Sequence, residues 1–125
     1  MNNWEIILYT NISGDCPVDT FIKSIKDAKL LAKVLRDIDL LESYGKDLRG
    51  NYTKVIINKR RGTLHELRSK QSSNIVRVFY YFRGGNKIIL LNGFIKKSNK
   101  TPRNEIKKAY SYMKDWEDRQ DGKDI

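Results

Sequence analysis

Arg68 and Arg77 stand in consecutive stretches whose residues alternate in the manner of β-strands. With a period of two, Leu64, Glu66 and Arg68 share one face of the first stretch, and His65, Leu67 and Ser69 share the other. In the second stretch Arg77, Phe79 and Tyr81 fall together, opposite Val76, Val78 and Tyr80. If the two arginine faces coincide, the guanidiniums form a pair suited to phosphate, because guanidinium stays charged and grips oxygens two at a time. The bland reading is that each arginine pairs with a carboxylate or lies in solvent. Downstream, Lys96, Lys97, Lys100 and Arg103 surround the passage from the last strand into the last helix. The free N–H groups and positive end of that helix make the passage an anion site; an idle cluster of exposed lysines is the alternative.

Groups that could move a proton are few. Glu66 lies on the Arg68 face, where it serves either as acceptor for a hydroxyl proton or as the ion-pair partner that holds Arg68. His65 titrates near neutrality, which suits acid–base work, but a single strand histidine is more often structural. Tyr80, Tyr81 and Phe94 could stack on bases, though core packing is the default at that spacing. The chain has no phosphate-cradling glycine loop followed by Lys-Ser/Thr, no HExxH, no CxxC and no nucleophile elbow. One Cys (Cys16) and one His supply no zinc set. A reaction needing neither metal nor cofactor fits these residues: a ribose 2′-hydroxyl, its proton removed by a base, attacks the adjoining phosphate while fixed cations stabilise the developing charge.

Charge placement supports a polyanionic partner. Residues 59–108 hold 14 Lys/Arg against 2 acids, residues 1–58 balance at 8 against 8, and the net charge of +10 therefore sits in one window. Basic residues so concentrated release counterions from nucleic acid. Within the window Lys59-Arg60-Arg61 reads as a basic loop, and with Lys100, Arg103 and Phe94 it makes a set that could grip RNA.

The elements that must position these groups follow from periodicity. At 125 residues the chain is expected to form a single domain, 1–125. No run approaches the length of a membrane span, and Met1–Glu5 does not resemble a signal peptide, so a cytoplasmic protein is expected. Trp4–Thr10 reads as an edge or second strand. Pro17 opens a helix with Val18, Phe21, Ile22 and Ile25 on one side. A second helix, entered near Asp27, is expected to bury Leu31, Val34, Leu35, Ile38 and Leu41 and to stop at Gly45. Residues 46–62 carry no decisive pattern. Strands are expected over Leu64–Ser69, Ile75–Phe82 and Lys87–Ile95, the last two joined by a tight turn at Arg83–Asn86. Ile88–Leu91 is apolar on both faces, as a central strand would be. Thr101 and Pro102 read as N-cap and first residue of a final helix that buries Ile106, Ala109, Tyr110 and Met113. Residues 117–125 read as a fraying polar tail. The fold class is α+β, with a small, mainly antiparallel sheet packed against N-terminal helices and a C-terminal helix.

Taken together, Leu64-His65-Glu66-Leu67-Arg68, Val76-Arg77-Val78-Phe79-Tyr80, Leu90-Leu91-Asn92-Gly93-Phe94-Ile95-Lys96-Lys97 and Thr101-Pro102 with Glu105-Ile106 and Ala109 resemble the phage-derived Gp49-like/HigB group of the RelE/ParE toxin superfamily. The likeness is strong over about residues 64–110 and loose before them. It implies a RelE-like fold and the toxin of a type II toxin–antitoxin pair, neutralised by a helix-turn-helix antitoxin of the HigA kind. Operator DNA would be reached only through that antitoxin. It further implies a metal-independent endoribonuclease that cuts mRNA on the ribosome. On that reading Arg68 and Arg77 hold the scissile phosphate and Lys96 or Lys97 stabilises charge or assists the leaving oxygen. ParE-like toxins of the same superfamily instead inhibit DNA gyrase, which gives a second, non-nuclease expectation. The lysines that RelE carries on the first of these strands are replaced by Leu64 and Glu66, and no tyrosine falls between Lys97 and Tyr110.

Overall fold

A computed structural model describes residues 4–96 and 101–123, with side chains as far as Gln120. Eight main elements follow one another: β1 (Glu5–Leu8), α1 (Pro17–Ser24), α2 (Ala28–Tyr44), β2 (Thr53–Asn58), β3 (Gly62–Gln71), β4 (Asn74–Arg83), β5 (Lys87–Lys96) and α3 (Arg103–Lys123). The five strands form one sheet in the order β1-β5-β4-β3-β2. β1 lies at the edge and runs parallel to β5; all other pairs are antiparallel. The α+β class and the mainly antiparallel sheet are as the sequence leads one to expect. Residues 46–62, which carry no decisive pattern, form two single turns of 3-10 helix and then the edge strand β2.

The sheet is covered on both sides, which is why β5 is apolar on both. Ile88 and Leu90 join Leu67, Val76, Val78 and Tyr80 under α1 and α2, while Ile89 and Leu91 join Leu64, Phe79 and Tyr81 under α3. α1 approaches so closely that a Cβ on Gly93 would lie 2.6 Å from the Phe21 ring. α2 begins at Asp27, whose carboxylate accepts hydrogen bonds from the backbone N–H groups of Lys29 (2.9 Å) and Leu30 (3.2 Å). It ends at Gly45 in a left-handed conformation (φ 52°), where the Trp4 indole fills the space a side chain would need.

Three details differ from the expectation. The buried stripe of α2 runs through Leu30, Val34, Asp37 and Leu41, and Leu35 is 45% exposed. Val34 and Leu41 are buried as expected and Leu31 and Ile38 pack half-buried against the core; periodicity discounted Asp37, which is enclosed with its carboxylate 2.7 Å from Lys33 Nζ. Residues from 117 onward continue α3 to Lys123 instead of fraying. Glu117 explains why: it accepts hydrogen bonds from the Tyr81 hydroxyl (2.5 Å) and Arg83 Nε (2.7 Å). Further along the same face, Tyr9 donates to Asp115 (2.6 Å), and burial, with that bond second, pushes the Tyr9 phenol up to about 12. Finally, Thr101 does not cap α3. The Pro102 carbonyl accepts from Glu105 and Ile106, and the Thr101 hydroxyl turns instead to the sheet.

Candidate functional site

The pairing of β3 with β4 sets Arg68 directly opposite Arg77, so the two arginines share the sheet face that also meets α3. Opposed residues in such a pair have Cα atoms about 4.5–5.5 Å apart. Two like charges at that spacing need an anion, and the face provides one. Glu66 Oε1 lies 3.5 Å from Arg77 Nε and 3.8 Å from Arg68 Nε. Glu66 Oε2 accepts from the Thr101 hydroxyl (2.7 Å), whose oxygen in turn accepts from an Arg77 terminal nitrogen (2.9 Å). Glu66, Arg77 and Thr101 thus close into a buried network at the foot of α3.

Exposure divides the arginine pair. Arg77 and Glu66 are fully enclosed, whereas the Arg68 side chain is 28% exposed. Burial pushes the Arg77 guanidinium below its ordinary pKa; the Glu66 carboxylate opposes that and Arg68 adds to it. A guanidinium nevertheless stays charged at any physiological pH. Arg68 is therefore the member that a phosphate can touch, with Arg77 adding positive potential from beneath. Of the two readings open for Glu66, its geometry is that of the ion-pair partner: one oxygen faces both guanidiniums and the other holds Thr101.

The neighbouring row extends the charge. Lys70 pairs with Ile75, which pairs with Lys96, so both lysines project on the Arg68 side one row further toward the β3–β4 turn. A groove of about 280 Å³ lined by Asn51, Arg68, Lys70 and Ile75 opens there. Lys70 was not singled out in the sequence, although its i,i+2 spacing from Arg68 is enough to place it. Arg103, exposed at the start of α3, follows Thr101 by two residues. Lys97 and Lys100 lie outside the described residues.

Other candidates fall elsewhere. Phe94 lies opposite Arg77 but is half-buried, its ring 5.7 Å from that of Phe79, so it serves packing. Lys59, Arg60 and Arg61 form the β2–β3 turn at the far end of β3. Seven residues of strand, about 23 Å, separate Arg61 from Arg68. Arg61 lies over the Tyr110 ring (4.9 Å), and the Tyr110 hydroxyl donates to the Gly62 carbonyl (2.8 Å). That turn and the Arg68 groove are separate basic regions, one at each end of the strand.

His65 faces the opposite side of the sheet, stacked on Tyr80 (5.2 Å) and edge-on to Phe82 (4.9 Å). It cannot reach a phosphate at Arg68. Burial first, and Lys46 second, lower its pKa. Since the folded state resists protonating this ring, its contribution to stability is complete above the unfolded value of about 6.5. It declines as pH falls from there and levels off below the lowered folded value. His65→Gln is expected to remove that component from a series of denaturant melts between pH 7.5 and 5; an unchanged acid slope would count against it.

The chain aligns with a family model over residues 21–114, described as Phage derived protein Gp49-like (DUF891). The chain belongs to this family. It is a RelE/HigB-like toxin family, in keeping with the five-stranded, mostly antiparallel sheet and the C-terminal helix. Family membership therefore points to the toxin of a toxin–antitoxin pair and to an antitoxin as partner. No curated protein matches the chain. Among the described residues no helix of this Gp49-like protein is long and apolar enough to cross a membrane, and none of their side chains cluster as metal ligands.

Proposed function

We propose that this Gp49-like protein is a ribosome-dependent mRNA endoribonuclease that acts in the cytoplasm and is silenced by a helix-turn-helix antitoxin. One observation supports this above the others: Arg68 and Arg77 oppose each other in register, with Lys70 and Lys96 in the adjoining row. Glu66 is the carboxylate set between the two arginines, within 4 Å of both. Arg68 would hold a non-bridging phosphate oxygen, and Lys70 and Lys96 would neutralise charge that builds as the 2′-oxygen, its proton passing to water, bonds to phosphorus and the 5′-oxygen leaves and is protonated. Arg77 would act through the field and through its grip on Glu66 and Thr101. Arg103 would hold a flanking phosphate, and Lys59, Arg60 and Arg61, a strand length away, would contact ribosomal RNA.

A second reading has its own support. Glu66 is wholly enclosed and His65 faces away, so the described residues offer the Arg68 groove no evident general base. A toxin that binds gyrase without chemistry would need none. Induction of the protein is expected to arrest growth and to produce new 5′ ends within translated mRNA, seen by primer extension and biased by codon position. Intact transcripts together with blocked gyrase supercoiling would instead uphold the second reading.

A further inference from the structure

The sheet face turned away from Arg68 holds a larger cavity, of about 430 Å³, between the end of α2 and the edge of the sheet. Its apolar walls are Leu48, Val55, Tyr80 and Phe82. Its polar groups are Lys46, Arg49, Thr53 and His65, with no carboxylate among them. The size is that of a small-molecule site, and so is the mix of apolar wall with a few convergent polar groups.

Two features indicate that the walls alone do not complete it. Tyr80 is 1% exposed, yet its hydroxyl makes no hydrogen bond to any described residue; burial alone drives its phenol pKa upward. The oxygen is not among the buried polar atoms left without a partner, so it is open to the cavity that Tyr80 lines and is available there as a donor. The His65 ring nitrogens likewise make no hydrogen bond, and only burial and the Lys46 charge move its pKa. Neither Lys46 nor Arg49 pairs with a carboxylate among the described residues; Lys46 rests over the Phe82 ring at 5.5 Å. The cavity therefore presents cations and hydrogen-bonding hydroxyl and ring groups with no carboxylate to balance them. The aromatic wall is continuous: His65, Tyr80 and Phe82 lie within 4.9–5.7 Å of one another, centroid to centroid. Val55, the cross-strand neighbour of His65, is left 53% exposed at the mouth.

We propose that this cavity is a second binding site, independent of the Arg68 groove, for an aromatic ring bearing a phosphate, with a nucleoside monophosphate as the matching chemistry. The ring lies against Val55, His65 and Phe82, as bases do on aromatic platforms. The phosphate meets Lys46 and Arg49, and the Tyr80 hydroxyl and His65 supply donors between them. The same chemistry comes either from a free mononucleotide or from an unpaired nucleotide of an RNA strand.

His65 is the only histidine in the chain, so its ring resonances report on this cavity without assignment ambiguity. Adenosine 5′-monophosphate, titrated into the full-length protein, is expected to move them saturably in the millimolar range or below. The Arg68→Ala protein is expected to respond identically, which separates this site from the opposite face. Adenosine alone and inorganic phosphate alone are each expected to bind at least tenfold more weakly. Val55→Trp, which fills the mouth from an exposed edge position, is expected to abolish the shift, and Lys46→Ala with Arg49→Ala to weaken it at least tenfold. A short oligoadenylate that displaces the mononucleotide assigns the source to RNA; one that does not assigns it to the free nucleotide. His65 resonances unmoved at 10 mM would overturn the proposal. So would a response lost in Arg68→Ala, or one reproduced in full by inorganic phosphate.

Discussion

Arg68→Ala is expected to remove toxicity and to lower mRNA cleavage by at least about 10²-fold, the usual loss when one preorganised donor to a developing charge is deleted. The effect should appear with little change in folding, because Arg68 is the partly exposed member of the arginine pair. Without it, Glu66 keeps both Arg77 and Thr101. Arg68→Lys should recover only part of the activity, since an ammonium lacks the planar fork that takes two phosphate oxygens at once. Melting temperature and copurification with the antitoxin serve as controls and should stay near the unsubstituted values. Full toxicity in the Arg68→Ala protein would take Arg68 out of the site. The same substitution at Arg77 is a poorer probe of chemistry: it leaves the enclosed Glu66 carboxylate without its nearest buried cation, so lost activity there would mix catalysis with folding.

The alternation of β3 and β4 was enough to put Glu66 with Arg68, and Arg77 with Phe79, because a strand's period is fixed by the pleat. It could not say whether the two sets face the same way. That depends on register, which the Gln71–Asn74 turn and the buried rows of Leu67 opposite Val78 settle in the folded molecule. Depth was also invisible. Arg77 and Arg68 look equivalent in sequence, but only Arg77 lies under Thr101. The Thr-Pro pair reads naturally as a helix start, and the helix does begin there. What local spacing does not show is that the threonine hydroxyl is committed to a residue 35 positions away. Likewise Lys59, Arg60 and Arg61 lie in the same basic window as Lys96, yet strand length separates their turn from Arg68 by the whole height of the sheet. Charge counted along a chain reports the sign of a surface, and topology decides how many surfaces there are.

The buried Glu66–Arg77 pair should give the largest stability effect in the protein. Glu66→Leu is expected to cost about 3–5 kcal/mol, the penalty for leaving one buried charge without its counterion. For a domain whose total stability is of order 5–15 kcal/mol that is a large share, and a drop of roughly 10–20 °C in Tm should accompany it. Arg77→Met should cost a similar amount, since it strands the carboxylate. The double variant should recover most of the loss: two apolar side chains on the α3 side of the sheet need no desolvation of charge, and replacement of such pairs is often nearly neutral. Arg68, being partly exposed, can return to water when Glu66 is gone. A strongly negative coupling energy in this cycle, read from urea melts, is the expected signature; single substitutions costing under about 1 kcal/mol each would contradict the enclosure seen here. The double variant then separates the two roles of the pair. If the charges served only the fold, the recovered protein would be as toxic as the parent. On the geometry described, Glu66 also fixes where Arg68 points, so the folded double variant should remain impaired in cleavage while still binding its antitoxin.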